Sequence, residues 1–334
     1  MEQRSRRTSF FWPILLIGAG ILLLLRNLGF LQNFNFGFLL NLWPLLLVVM
    51  GLDLIFGRRF PWAGAVIGLF TIGAVVALFY YAPALGINSP PAIKTEIIST
   101  PLGNTEKVEY HLYTSNEPVV IKTLTDSTDL LDATLVHRDE LNFTVEGDAN
   151  KVVTLSESRS ADNLFSIDLG QTGLQWEIGL HPDVPTSLNL EGGSGALDID
   201  LNRMKLESFS ALLGSGAAKL TLPVSATAYP VEVTSGSGGV TMTLPAATEV
   251  TLTLMTGSGA INILVPEASP LSVEVLDDGS GNVYLPADLE LLNGDGSFSN
   301  DTWQSPDFPT APPRLVIRII GRGSGSISIN RTIY

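Results

Sequence analysis

The sequence predicts about three N-terminal transmembrane α-helices, followed by an all-β repeat domain that forms a stacked β-solenoid with rungs of about 22 residues. Three observations lead to this prediction. Apolar residues are concentrated before residue 83, alternating and β-branched runs dominate the rest of the chain, and the tripeptide Gly-Ser-Gly recurs at a nearly constant interval in the second half. A period of this size is typical of architectures in which one small unit stacks on the next.

Composition excludes several classes of function. The chain has 334 residues, a net charge of −14 and no cysteine, so disulfide bonds, thiol catalysis and cysteine–zinc sites are excluded. The acidic excess lies after residue 59, and an acidic module of this kind repels nucleic acid and anionic lipid headgroups. The charge either keeps a repetitive β surface soluble or attracts cations and cationic peptides.

Residues 1–82 are predicted to form a membrane anchor, because they contain three apolar runs that can each cross a bilayer. The predicted helices occupy about residues 10–28, 38–56 and 61–82. Arginines precede the first helix, and Arg58 and Arg59 separate the second from the third. Since positively charged loops stay inside, we expect a multi-pass membrane protein with a cytoplasmic N-terminus and an extracytoplasmic C-terminal domain.

A short motif is repeated within this anchor. Trp12–Leu16 reads Trp-Pro-Ile-Leu-Leu, Trp43–Leu47 reads Trp-Pro-Leu-Leu-Leu, and Gly57–Arg59 is a Gly-Arg-Arg turn. Over roughly residues 8–82 the chain resembles the LiaI/LiaF-type (DUF5668-type) transmembrane region of bacterial envelope-stress proteins. The resemblance implies a bacterial membrane anchor that associates with signalling partners, and it implies no catalysis. Glycines in the helices allow close packing within the chain or between copies in a homo-oligomer.

Residues 83–104 are predicted to be a proline-containing linker, because they hold four prolines and few large apolar residues. Residues 105–334 are predicted to be the extracytoplasmic β-repeat domain. Within one period, Val231–Thr234 and Val240–Leu244 alternate apolar and polar residues, which is typical of two strands with one buried face.

The Gly-Ser-Gly segments are predicted to be the turns between the two strands of each rung. Their glycines recur every 21 or 22 residues and are Gly193, Gly195, Gly214, Gly216, Gly236, Gly238, Gly257, Gly259, Gly279 and Gly281. We expect glycine here because a sharp turn needs a positive φ. The middle serines form a column that either binds a linear ligand or hydrogen-bonds its own turns. A sixth copy, Gly323–Gly325, follows 44 residues after the fifth, which is two periods.

The stretch Asn293–Pro313 interrupts the period and carries three aromatic residues, Phe298, Trp303 and Phe308. Because an open sheet edge invites aggregation, we expect this stretch to cap the end of the solenoid. The alternative is that the three aromatic residues contact a partner protein, since aromatic residues on loops often anchor interfaces.

The Gly-Ser-Gly period and the alternating strands resemble the toastrack β domains of the DUF4097 type, which are candidate adhesins. The resemblance covers roughly residues 105–334 and is strongest over residues 187–286. It implies a stacked β module that acts in interaction or sensing, and it carries over no catalytic residue.

No pattern in the sequence predicts a metal site, a cofactor or an enzyme. His111, His137 and His181 are too widely spaced to form a zinc motif. Asn293–Ser297 is a fragment of a calcium loop without the downstream glutamate, so calcium binding at acidic turns stays open. A glycan-processing enzyme would need a carboxylate pair, for which the candidates are Asp198 with Asp200 and Asp277 with Asp278.

The sequence therefore predicts a bacterial membrane-anchored, extracytoplasmic β-repeat module for interaction or sensing, linked to cell-envelope stress signalling. Its expected partners are the lipid bilayer and a membrane signalling protein or envelope component. The alternative is a surface adhesin or structural scaffold with no signalling role.

We predict that protease added to intact cells cleaves the chain after residue 82, because the arginines hold the N-terminus and the loop before the third helix inside. The measurement is the size of the fragment that an antibody against the N-terminus detects in the membrane. Cleavage restricted to inverted membrane vesicles would contradict this orientation.

Overall fold

The computed structural model describes residues 20, 47–48, 51, 63–81, 93–138, 140–158, 174–276, 279–310 and 312–333. Contacts divide the chain into two compact units. The first comprises Met1–Ala92 and Ser160–Thr172, and the second comprises Ile93–Arg159 and Gly173–Tyr334. The β-repeat domain is the second unit.

In the first unit, helix α1 spans Ala63–Tyr81 and contains no charged residue. It lies within the third predicted membrane helix. Among the residues that the structure describes, no helix combines the length and the hydropathy needed to cross a membrane. The other two predicted helices, at about 10–28 and 38–56, fall outside the described residues except at Gly20, Leu47, Val48 and Gly51.

The second unit is built of β-strands, so its predicted all-β class is confirmed. Its described residues contain 21 strands: β1 (Lys94–Pro101), β2 (Lys107–Tyr113), β3 (Val119–Thr123), β4 (Asp129–His137), β5 (Glu140–Glu146), β6 (Asn150–Ser158), β7 (Gln175–Leu180), β8 (Thr186–Glu191), β9 (Leu197–Asp200), β10 (Leu206–Leu213), β11 (Ala218–Thr221), β12 (Tyr229–Ser235), β13 (Val240–Thr243), β14 (Val250–Thr256), β15 (Ile261–Pro266), β16 (Leu271–Val275), β17 (Val283–Tyr284), β18 (Glu290–Asn293), β19 (Asp301–Gln304), β20 (Leu315–Arg322) and β21 (Ile327–Thr332).

The described strands form two sheets that enclose one hydrophobic core. Sheet 1 has ten strands in the order β1-β4-β7-β3-β9-β11-β13-β15-β21-β17. Sheet 2 has eleven strands in the order β18-β19-β16-β20-β14-β12-β10-β8-β2-β6-β5. Neighbouring strands in the middle of both sheets are parallel, as stacking of repeated units requires.

A rung consists of one strand of sheet 2 followed by one strand of sheet 1. In the rung of β12 and β13, Val231, Val233, Val240 and Met242 point between the sheets and are buried. Neighbouring rungs lie in register, for example Val233 beside Leu254. The alternation predicted from the sequence is confirmed, and its apolar face forms the core.

The linker prediction for residues 83–104 is wrong in its second half. Lys94–Pro101 forms β1, which pairs antiparallel with β4. Ile98 and Thr100 turn toward the core and are buried. Pairing with β4 and the burial of Ile98 outweigh the low apolar content that suggested a linker, because strand formation depends on the neighbours that a segment meets.

The Gly-Ser-Gly segments form the corners between the two strands of a rung, and successive corners approach closely. A Cβ atom added to Gly216, Gly238 or Gly259 would lie 1.9, 1.8 or 1.9 Å from the carbonyl oxygen of the matching glycine in the preceding corner. Hydrogen bonds cross the same gap, since the Ser258 N–H donates to the Gly236 carbonyl at 3.0 Å. No side chain fits at these glycine positions.

The expectation of a positive φ at these glycines is wrong. The described residues with positive φ include four glycines, Gly103, Gly147, Gly294 and Gly296, and none of them belongs to a Gly-Ser-Gly corner. Glycine is required at the corners because the main chain of the neighbouring rung occupies the space that a side chain would take.

The last rung in sequence is not the last rung in space. β20 pairs with β14 on one side and β16 on the other, and β21 lies likewise between β15 and β17. Its corner, Gly323–Gly325, packs between Gly257–Gly259 and Gly279–Gly281. The spacing of 44 residues, which is two periods in sequence, therefore does not correspond to two rungs along the stack. The chain leaves the stack as β18 and β19 and returns into a gap between earlier rungs.

The first rung in sequence is inserted in the same manner. β2 lies between β6 and β8, and β3 lies between β7 and β9. Its corner, Ser115–Glu117, contains no glycine, and a Cβ atom on Gly193 would lie 1.9 Å from the Ser115 carbonyl oxygen. Antiparallel strands complete both ends, with β1, β4 and β5 at one end and β18 and β19 at the other.

We predict that Gly238→Ala lowers the free energy of unfolding by about 3 kcal/mol, because its Cβ would overlap the Gly216 carbonyl and force two rungs apart. The matched control is Gly239→Ala. The nearest atom to its Cβ would be 3.8 Å away, and the neighbouring rungs carry Ala217 and Ala260 at this position.

Gly239→Ala should leave stability unchanged or raise it slightly, since the backbone there tolerates a side chain. Urea unfolding of the purified chain in detergent, followed by the circular dichroism of the β-sheet, measures both variants. An equal loss in the two variants would contradict the role of close approach at the corners.

Candidate interaction site

The loop between β18 and β19 is held by a buried carboxylate. Asp301 is the first residue of β19 and has no exposed surface. Its Oδ1 accepts a hydrogen bond from the Asp295 N–H at 3.0 Å, and its Oδ2 accepts one from the Phe298 N–H at 2.6 Å. These two donors compensate for burial of the charge, and they attach the loop to the end of sheet 2.

The same loop concentrates unusual backbone conformations. Of the eight described residues with positive φ, four lie here: Gly294, Gly296, Phe298 and Asn300. The φ of Phe298 is 60°, and this region costs a non-glycine residue about 1–2 kcal/mol. Such strain persists only where the surrounding structure imposes it, and it is concentrated at functional sites.

Phe298 and Trp303, two of the three aromatic residues singled out from the sequence, are brought together. Their rings stack with centroids 5.5 Å apart, and both pack against the core. Arg322 ties this pair to the last corner, because its Nη2 donates to the Phe298 carbonyl at 2.7 Å and its Nη1 donates to the Gly281 carbonyl at 3.0 Å. The stacked pair therefore supports the loop from the side of the core.

Phe308, the third aromatic residue, lies apart from this pair. It is in the connection from β19 to β20, and the guanidinium carbon of Arg314 lies 5.4 Å from its ring centroid. Arg314 also donates a hydrogen bond to the Pro309 carbonyl at 2.9 Å. Phe308 thus belongs to a separate small cluster in the returning segment.

A groove of about 450 Å³ separates the loop from the corner Gly279–Gly281. Its other lining residues include Tyr284, Ser297–Ser299 and Arg322. The Ser297 hydroxyl and the Ser297 N–H, at 3.0 Å, hold the pKa of the Asp295 carboxyl below its usual value. The groove therefore presents hydroxyl groups, an aromatic face and the Arg322 side chain, and the Asp295 carboxylate lies in the same loop, hydrogen-bonded to the lining residue Ser297.

Two exposed apolar residues at this end are not among those singled out from the sequence patterns. Tyr284 is 56% exposed and Leu292 is 64% exposed. Leu292 lies where the register between β18 and β19 shifts. Its exposure results from this irregularity, which the sequence does not predict. The exposure of Tyr284 could have been predicted by aligning the rungs, because the other rungs of sheet 1 carry polar residues at its position. These residues are Asp198, Lys219, Thr241, Asn262 and Ser328.

The serine column runs along the corners, but its described hydrogen bonds stay within the stack. The Ser194 hydroxyl donates to Asn116 Oδ1 at 2.6 Å, and the Ser280 hydroxyl donates to the Gly323 carbonyl at 3.4 Å. Each bond joins one corner to its neighbour. This favours turn chemistry over ligand binding as the role of these serines.

In the described part of the chain, no group of three or more histidine, aspartate or glutamate side chains is placed to hold a metal ion. Asp198 and Asp200 are exposed on β9, while Asp277 and Asp278 fall outside the described residues. The three histidines each have a local neighbour: His111 near Glu109, His137 near Glu96, and His181 with the Asp183 N–H.

We predict that Asp301→Asn lowers the free energy of unfolding by about 2 kcal/mol, because an amide can accept at one oxygen only and leaves one buried N–H without its acceptor. Asp198→Asn, at an exposed position on β9, is the control and should change stability little. Thermal unfolding of the purified chain measures both. Equal stability of the Asp301→Asn variant and the parent chain would show that the carboxylate does not hold the loop.

Comparison with known proteins identifies both parts of the chain. Residues 11–91 match the LiaF transmembrane domain, and residues 93–243 match the N-terminal domain of toast_rack, DUF2154. Among curated proteins, none matches the chain.

Two solved structures are similar to the chain at low sequence identity. A candidate cell adhesion protein from Clostridium sporogenes shares 16% identity, with 72% of this chain and 100% of that chain covered and a TM-score of 0.49. A candidate adhesin from Bacteroides fragilis shares 12% identity, with 72% and 99% covered and a TM-score of 0.28. The two matches follow one another in the order that the sequence resemblances implied, a LiaF transmembrane domain and then a toast-rack domain.

Proposed function

We propose that the protein is an extracytoplasmic interaction and sensing module of the bacterial cell envelope, and that the end of its β stack contacts a membrane signalling protein or an envelope component. The LiaF transmembrane domain supports membrane anchoring, and the toast-rack domain supports a β-repeat interaction module. The single observation that carries the proposal is the strained loop Gly294–Asn300, held by the buried Asp301.

The loop is more elaborate than capping requires. Covering the edge of β16 needs only a short antiparallel hairpin, which β18 and β19 already provide. Holding the non-glycine residues Phe298 and Asn300 at positive φ costs free energy. A partner surface explains this cost, because a loop already fixed in one conformation loses less entropy on binding.

The chemistry of the end surface suits a folded protein partner. Tyr284 and Leu292 supply exposed apolar area, and Ser297 and Ser299 supply hydroxyl groups around the groove. Tyrosine is enriched among the residues that dominate binding energy in interfaces. In this proposal the stacked pair Phe298 and Trp303 positions the surface, and Tyr284 and Leu292 make the contact.

We predict that a photo-reactive amino acid at Asn300 cross-links the chain to a membrane protein in living cells, because Asn300 is exposed on the loop. The matched control carries the same amino acid at Glu232, which is exposed in the middle of sheet 2. Adducts are identified by mass spectrometry. Cross-linking of equal yield and identity at the two positions would contradict a partner site at the end of the stack.

The signalling role has its own test. Replacement of both Tyr284→Ala and Leu292→Ser should abolish the Asn300 adduct and weaken the response of an envelope-stress reporter, with unchanged protein level in the membrane. An unchanged reporter in a deletion strain would count against signalling. Loss of surface adhesion in that strain would instead favour the adhesin or scaffold alternative.

A further inference from the structure

Strand β1 is an open edge of sheet 1. Within the described residues its one neighbour is β4, so its second side carries main-chain groups that no strand pairs. Residues Lys94–Ile97 are all exposed, and Ile97 is 72% exposed. Ile93, just before the strand, is 47% exposed. An edge with two exposed isoleucines is a template for another strand unless its side chains prevent pairing.

The sequence of this edge is complementary to itself. It reads Ile93-Lys94-Thr95-Glu96-Ile97. If a second copy lies antiparallel with its Thr95 opposite this Thr95, then each Lys94 lies opposite a Glu96, and each Ile93 lies opposite an Ile97. Opposite charges, paired threonines and paired apolar residues are all favourable across strands. A contact of this kind is isologous and closes with two-fold symmetry.

Other registers lose these pairs. Centring the contact on Glu96 places Lys94 opposite Ile98, and centring it on Lys94 places Ile93 opposite Thr95. A parallel arrangement in register places Lys94 beside Lys94 and Glu96 beside Glu96, which is unfavourable. Charged side chains normally prevent an edge strand from pairing with another chain. Here Lys94 and Glu96 instead favour one register, with a second copy of the same strand as the partner.

The edge of sheet 2 at the same end of the stack has the opposite pattern. β5 runs from Glu140 to Glu146 and is the last strand of sheet 2. Antiparallel pairing of two copies about Phe143 would place Glu140 opposite Glu146 at both ends. Repulsion between these carboxylates protects β5, so the two edges differ in the charge pattern that decides self-association.

We propose that two copies of this chain associate through β1, antiparallel and centred on Thr95, so that sheet 1 continues from one copy into the other. The partner is therefore a second copy of the chain, joined at the first strand after the membrane anchor. This contact lies at the opposite end of the stack from the groove beside Tyr284, and it is independent of what that groove binds.

The natural absence of cysteine allows a direct test of this register. In the full-length chain in native membranes, Thr95→Cys should form a disulfide-linked dimer under mild oxidation, because position 95 of one copy faces position 95 of the other. Ile97→Cys is the matched control, since in this register its two copies lie four residues out of step, about 14 Å apart. That distance exceeds the limit of about 7 Å between Cα atoms for a disulfide.

A mixture of chains sharpens the test. Co-expression of differently tagged Ile93→Cys and Ile97→Cys chains should give a cross-linked heterodimer, because these residues face each other in the proposed register. Equal cross-linking of Thr95→Cys and Ile97→Cys would overturn the proposal, as would its absence in Thr95→Cys. Association through membrane helices alone produces no such dependence on position.

Reversing the charges at positions 94 and 96 is a second test of the proposed contact. In the Thr95→Cys background, Lys94→Glu should reduce the initial rate of dimer formation at least about fivefold, because it places carboxylates opposite each other. The double variant Lys94→Glu with Glu96→Lys restores the complementary pairs and should recover most of that rate. Thermal unfolding confirms that the variants stay folded. A double variant as slow as Lys94→Glu alone would refute the proposed charge pairing.

Discussion

Close approach of neighbouring corners is the constraint on which the rest of the β domain is built. A Cβ atom on Gly216, Gly238 or Gly259 would lie 1.8–1.9 Å from a carbonyl oxygen of the preceding corner, so these rungs can stack only because their corners lack side chains at these positions. Stacking at this distance lets the strands on both sides pair in parallel and in register. Register in turn aligns the buried faces, so the continuous hydrophobic core follows from the same constraint.

Both ends of the stack depart from the order of the rungs in the sequence. The rungs β2–β3 and β20–β21 are each inserted between rungs that lie elsewhere in sequence, and antiparallel strands close the ends. Insertion ties distant segments together, as in the bond from Arg322 to the Gly281 carbonyl. It also makes completion of the stack depend on long-range contacts, which form more slowly than local ones.

Both surfaces proposed to make contacts lie where the repeat ends. In the middle of the stack every rung has equivalent neighbours, and the described polar side chains mostly bond within the stack. At one end, the buried Asp301 fixes a strained loop beside Tyr284. At the other, β1 leaves one side without a partner strand among the described residues. A rigid middle with distinct ends suits a module that is held at a membrane and makes contacts at its ends.

The all-β class, the length of a rung and the buried face could all be predicted from the sequence, because alternation of residues such as Val231 and Val233 and the spacing of glycines are local properties. The order of the rungs along the stack could not be predicted from the sequence and is decided by the tertiary structure. Gly323–Gly325 carries the same tripeptide as the other corners, so spacing cannot reveal that it inserts beside Gly257–Gly259. The same holds for the site: Phe298 and Trp303 could be singled out as aromatic residues in a break of the period. The burial of Asp301 and the exposure of Tyr284 depend on which distant strands pack around them.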